Sequence, residues 1–214
     1  MKKIGKIMLV LSVLSYAIGA VVYQYLPERV ASHWNINGEV DGYSSRFFGA
    51  FFFPIVITAL SILLYWIPRI DPLSKNIEKF YKHYQNFLLA FFGFMYLIYF
   101  QTILWALGYH VSPMIIFPIG FAGLMFAISP MMEHAEQNWS IGIRTPWTMS
   151  SKEVWEKTHL LAGRIYKYAA ILSLLGILVP KYAFFFVIVP ILGASLYLVA
   201  YSYFEFKKEQ NSSN

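Results

Sequence analysis

Six apolar runs, at residues 7–25, 47–67, 87–107, 113–131, 165–179 and 182–204, govern what this chain can become. A hydrocarbon core of roughly 30 Å is crossed by about 20 residues of helix, and all but the fifth run approach that length. A backbone N–H or C=O without a partner is costly in lipid, so such runs read as helices that satisfy their own hydrogen bonds. The expected fold class is an all-α integral membrane protein with six transmembrane helices. Composition agrees, with 58% hydrophobic residues and only 13% charged, against roughly 25% charged in soluble domains. The first run has the basic start and the small residues, Gly19 and Ala20, of a secretory signal. It continues through Val21, Val22 and Tyr23, which makes it a span. The short fifth run is expected to extend backwards, with Arg164 and Lys167 snorkelling to the interface.

Charge sets the expected orientation. If the spans alternate, all but Arg29, Arg46 and Lys181 of the 17 Lys and Arg residues fall on the side of the N-terminus. Cytoplasmic loops carry the basic excess, so the expected arrangement is N-in/C-in, in the cell membrane and multi-pass. The net charge of +6 is then an orientation signal, and no direct nucleic-acid partner is expected. With no cysteine, disulfides, thiolate metal sites and cysteine nucleophiles are excluded.

Between the runs, Ile77, Phe80, Tyr81, Tyr84 and Phe87 recur at three- and four-residue steps. This spacing predicts an amphipathic cytoplasmic helix before span three, with Lys75, Lys79, Lys82 and His83 towards headgroups. Pro190 predicts a kink in the last span, and the polar tail after Phe204 is expected to be disordered. The chain divides into a two-span region, 1–86, and a four-span region, 87–214.

Function has to come from two polar islands. The first, 33–47, lies outside the cytoplasm in the expected topology. Asn37-Gly38 and Asp41-Gly42 are turn dipeptides, so this loop should be compact and hairpin-like. Its candidate ligand- or partner-binding residues are His33, Trp34, Asn35, Asp41, Tyr43 and Arg46. The second, 139–163, lies inside. Pro146 pushes Thr145 to an extended conformation, and 144–148 lacks helical periodicity. Ser150 with Glu153 has the spacing of a capping box, so a second amphipathic helix should begin near Ser151 and run into span five. On it Trp155, His159 and Gly163 form one stripe, with Trp155 suited to the interface and Gly163 open to a close helix approach.

The candidates of the inner island are Arg144, Thr145, Trp147, Thr148, Trp155, Lys157 and His159. His159 reads either as a structural histidine held by a backbone carbonyl or as a proton-sensitive or ligand-contacting group. Arg144 would snorkel to lipid phosphate or grip a carboxylate or phosphate. His33, Asp41, Glu133, His134 and His159 are metal-ligand types, but none has His-Glu-x-x-His spacing and no metal is expected. No Gly-x-Ser-x-Gly occurs, no cofactor is expected, and an enzyme is the less favoured reading.

The segment GIRTPWTMSSKEVWEKTHLLAG resembles the signature of the SdpI-type bacterial immunity proteins, through Gly142, Arg144, Thr145, Pro146, Trp147, Thr148, Ser150, Trp155, Lys157, Thr158, His159 and Gly163. LPERVASHWNINGEVDGYSSRF resembles the extracytoplasmic segment of the uncharacterised domain that commonly precedes that signature. The resemblance implies a polytopic membrane protein in contact with membrane lipids. It further implies protection from a secreted antimicrobial peptide toxin and signalling to a cytoplasmic transcriptional repressor. Read from polar residues on both faces, including Gln101 and Thr102 in span three, the alternative is a small membrane transporter or an intramembrane enzyme acting on a lipid or amphipathic substrate.

Overall fold

Because each apolar run closes its own backbone hydrogen bonds, the architecture reduces to how six helices pack. The computed structural model describes residues 2–212; Lys2's side chain and residues 213 and 214, which complete the expected polar tail, lie outside the described side chains and residues respectively. Its long helices are α1 (Lys2–Tyr23), α2 (Arg46–Ile70), α4 (Tyr81–Ala106), α5 (Pro113–Glu133), α7 (Lys152–Leu175) and α8 (Ala183–Ser212). All six fall within segments long and apolar enough to cross a membrane. The shorter elements are β1 (Arg29–Trp34), β2 (Val40–Ser45), α3 (Ser74–Lys79) and α6 (Pro146–Ser150). The chain is thus an all-α multi-pass membrane protein that carries one antiparallel hairpin.

Small residues let α1 and α2 approach. Ser12 and Ser61 hydroxyls lie 3.5 Å apart, and a Cβ on Gly19 would come within 2.7 Å of the Ala50 carbonyl. Such seams associate helices by close packing where lipid supplies no hydrophobic drive. Helix α4 lies across both, burying Tyr84, Leu88, Phe92 and Tyr96 at every fourth position, the spacing of one helix face. Its tyrosines need partners in an apolar zone and take free carbonyls. Tyr84 donates to Leu64 O at 2.7 Å, Tyr99 to Ala50 O at 2.6 Å and Tyr96 to Leu11 O. Helix α5 packs beside α4, and α7 and α8 pack on α5 and on each other; at Gly163 of α7 a Cβ would come within 2.8 Å of Ser129 O on α5.

Several expectations change. The amphipathic helix before span three breaks at Phe80 (φ −112°, ψ 16°), and Ile77, Phe80 and Tyr84 enter the core instead of lying on a headgroup surface. Those three occupy a face that α1, α2 and α5 cover, so their stripe marks protein packing. The tail is no coil: α8 runs through Pro190 to Ser212, because Ser202 and Glu209 have partners on the 139–163 stretch. Asp41-Gly42 is no turn. It sits within β2, with Gly42 paired to His33, and the hairpin turns at Asn37-Gly38, where Gly38 has φ +80°.

The two islands occupy opposite ends of the bundle. The hairpin caps one end, where Trp34 meets Trp105 edge-on at 5.5 Å. The 71–80 turn and the 134–151 loop interlock at the other, through Asn76 Nδ2 to Gln137 O (2.7 Å) and Lys79 to Glu136 (3.4 Å).

Candidate functional site

The 139–163 stretch is built as a knot of satisfied polar groups. Pro146 starts α6, and Thr145, extended at φ −97° and ψ 163°, caps it. The capping box therefore pairs Thr145 with Thr148, and residues 146–150 are helical where an irregular segment is expected. Proline at the first helical position costs nothing, because its missing N–H would have no intrahelical partner. Ser150 does not cap α7; its hydroxyl returns to Pro146 O at 2.7 Å. Ser151 is the cap, accepting from Val154 N at 3.2 Å. One residue of displacement follows from α6 consuming Ser150.

Thr148 Oγ1 accepts from Thr145 N at 2.9 Å and donates to Ile143 O at 2.7 Å, which folds the Gly-Ile-Arg-Thr loop back on α7. His159 completes the closure. Its Nδ1 lies 2.8 Å from Trp155 O, and its Nε2 accepts from Ile143 N at 2.9 Å. A carbonyl only accepts and a backbone N–H only donates, so the ring is held as the neutral Nδ1–H tautomer. Trp155 stacks on it at 3.9 Å and donates through Nε1 to Ala135 O at 2.6 Å. Trp155 is 0% exposed and His159 1%, so Trp155 is a core residue and does not lie in an interface belt. Gly142, at φ +121°, lies over both rings.

Arg144 stands apart from this core. It is exposed, with its Nη1 donating to Trp139 O. Trp147 packs edge-on to Tyr203 at 5.1 Å, and Lys157 bridges Glu153 (2.6 Å) and Glu205 (3.2 Å), joining α7 to α8. A recess of about 350 Å³ borders Trp155, His159, Glu133 and Lys152. Arg144 and Trp147 do not line it.

Sequence reasoning missed three residues that hold this knot. Buried Asn138 accepts from Ser140 N (2.9 Å) and Ile141 N (2.6 Å), and donates to Glu136 O and Ile141 O. Gln137 Nε2 donates to Thr148 O and Met149 O. Asp71, 4% exposed, accepts from Leu73 N at 2.7 Å, Trp139 N at 3.0 Å and Ser140 Oγ at 2.5 Å. An Asx-turn pattern at Asn138 was the available signal; Asp71 carried none, since its partners are far along the chain. Asp71→Ala leaves three part-buried donors without their acceptor and is expected to cost about 1–3 kcal/mol. It should be read as a lowered thermal unfolding midpoint in detergent; an unchanged midpoint would show that the clamp adds nothing.

At the opposite end the hairpin roofs a cavity of about 840 Å³, bounded by α2, α4, α5 and α8. His33, Trp34, Asn35 and Asp41 line it; Tyr43 and Arg46 do not. Asn35 is occupied by the turn, its side-chain oxygen accepting from Asn37 N and Glu39 N. His33 and Asp41 pair across the strands at 2.5 Å. Tyr43 lies under Arg29 (5.2 Å), and Arg46 lies over Tyr23 (5.8 Å). Gln101 and Thr102 have local partners, Val111 O and Ile98 O, so they form no relay through the bundle.

The comparisons divide along the same lines. Residues 134–202 match the model of the SdpI/YfhL protein family, and residues 10–58 match that of a domain of unknown function, DUF1648. The "Immunity protein SdpI" of Bacillus subtilis (strain 168) is 28% identical over 207 residues, covering 96% of this chain and 97% of that protein. No solved structure matches the chain. The knot around Thr148 and His159 falls inside the first match and the whole hairpin inside the second, so the chain resembles the SdpI/YfhL protein family over residues 134–202 and a DUF1648 domain ahead of that region.

Proposed function

We propose that this membrane protein confers resistance to a secreted antimicrobial peptide toxin and signals its presence to a cytoplasmic transcriptional repressor. The observation that carries the reading is similarity to an immunity protein over 96% of the chain, both islands included. In the N-in/C-in arrangement, the hairpin end meets the toxin and the Arg144 end meets the repressor. The knot supports a docking role better than a chemical one. His159, Thr145 and Thr148 have their hydrogen-bonding capacity taken up by the fold, while the Arg144 side chain is exposed beside Trp139, itself 56% exposed. Coupling the ends requires two bundle states whose populations the two partners shift in the same direction.

Expression in a toxin-sensitive strain should raise survival under toxin challenge; no rise from protein present at normal membrane levels would sink the reading. Arg144→Ala should leave the amount of folded protein unchanged, because the side chain is exposed, and should release the repressor from toxin-treated membranes. Undiminished repressor retention by Arg144→Ala would remove Arg144 from the docking face without touching the resistance result.

A further inference from the structure

The cavity under the hairpin opens sideways. Phe48, Phe52 and Phe184 belong to its wall and are also 43%, 39% and 41% exposed. All three lie on the apolar outer surface of segments long enough to span. Among the described residues α2 and α8 form no packing seam with each other, which leaves the flank between them open. In a bilayer that flank faces lipid. At about 840 Å³, the chamber has the size of a small-ligand site, about 300–1,000 Å³.

Two polar atoms in its wall are unsatisfied. Trp34 Nε1 and Ser44 Oγ are occluded from solvent and have no hydrogen-bond partner, and both residues line the cavity. Buried donors are normally paired, and each exception calls for an explanation. An indole N–H can only donate, so whatever completes this site brings an acceptor oxygen into a mostly apolar chamber. A molecule with a long hydrocarbon chain headed by a carbonyl group meets both demands. The solvent at the opening consists of such molecules.

We infer that this cavity binds a membrane phospholipid, with an acyl chain filling the chamber and ester oxygens accepting from Trp34 Nε1–H and Ser44 Oγ–H once rotation of those two side chains uncovers their donors. The binding is independent of toxin resistance, so either can fail alone. The lipid keeps the hairpin seated on α4 and α5 and supplies acceptors to the unpaired donors.

The test is native mass spectrometry of the delipidated full chain, titrated in detergent with dioleoyl-phosphatidylglycerol. One saturable adduct is expected. The double variant Trp34→Phe, Ser44→Ala keeps the wall apolar and should bind about tenfold more weakly, the scale of a hydrogen-bond loss. The dialkyl ether analogue, which lacks carbonyls, should bind the wild type about tenfold more weakly and lose little further affinity for the double variant, as expected when both changes remove the same contact. Thr102→Trp, which adds bulk from α4 into the cavity, should abolish the adduct in a protein that remains monodisperse. Equal binding of ester and ether by the wild type, or undiminished binding by both variants, overturns the assignment. Tighter binding of oleic acid than of the diester overturns the phospholipid as occupant. Absence of any saturable adduct also overturns it and leaves an apolar peptide segment as the occupant to seek.

Discussion

Gly142→Ala is expected to lower stability by about 2–6 kcal/mol, through a strained backbone of about 1–3 kcal/mol and an overpacked contact of about 1–3 kcal/mol. Gly142 has φ +121°, outside the regions that L-residues favour. A Cβ there would collide with His159 Nε2 and come within 3.1 Å of the Trp155 ring. Neither ring can retreat. His159 is held at both nitrogens and Trp155 at its indole N–H. The thermal midpoint in detergent and the monodisperse fraction should both fall. Adding His159→Ala to Gly142→Ala removes one collision partner, so the double variant should lose less than the two single losses added together. Simple additivity would show that the glycine and the histidine do not meet. A midpoint unaffected by Gly142→Ala would show that the loop does not lie over the rings as described.

Much of the bundle was legible because membrane spans follow from a constraint on local sequence. Each apolar run falls in a spanning helix, three of them overrunning its C-terminal end by one or two residues, and the tight 107–112 link places α4 beside α5. The hairpin was legible in outline from Asn37-Gly38, whose left-handed glycine a tight turn demands. Partner choice was not legible. Ile77, Phe80 and Tyr84 have the periodicity of an interfacial helix, and the same periodicity serves a helix buried by its neighbours; only the packing of α1, α2 and α5 decides between them. Trp155 reads as an interfacial aromatic until the 134–142 loop is seen to cover it. The motif residues stood out in sequence, but exposure separates their roles: Arg144 is available to a partner, while Thr145, Thr148 and His159 hold the loop that presents it. Asp71 joins chain segments 68 residues apart, a pairing no local pattern encodes.

Trp155→Ala should be the most damaging single truncation in the knot, costing about 3–5 kcal/mol as a buried Trp-to-Ala change. The indole is 0% exposed and covers one face of His159. Its loss also leaves Ala135 O without its donor. The space it vacates adjoins the recess of about 350 Å³ already bordered by Trp155 and His159, so water can enter and compete for the His159 contacts that fix Ile143. The Gly-Ile-Arg-Thr loop should loosen with it, carrying Arg144 away from its position beside Trp139. Trp155→Phe separates the contributions. It retains an aromatic face for His159 and most of the volume while deleting the N–H, and should cost about 1–3 kcal/mol, the scale of a buried acceptor left unmade. Unfolding midpoints of the two variants should therefore differ clearly, and added indole should raise that of Trp155→Ala towards the wild type by occupying the vacated space. Equal losses for Phe and Ala would mean that the hydrogen bond to Ala135, and not the filled volume, holds α7 against the loop.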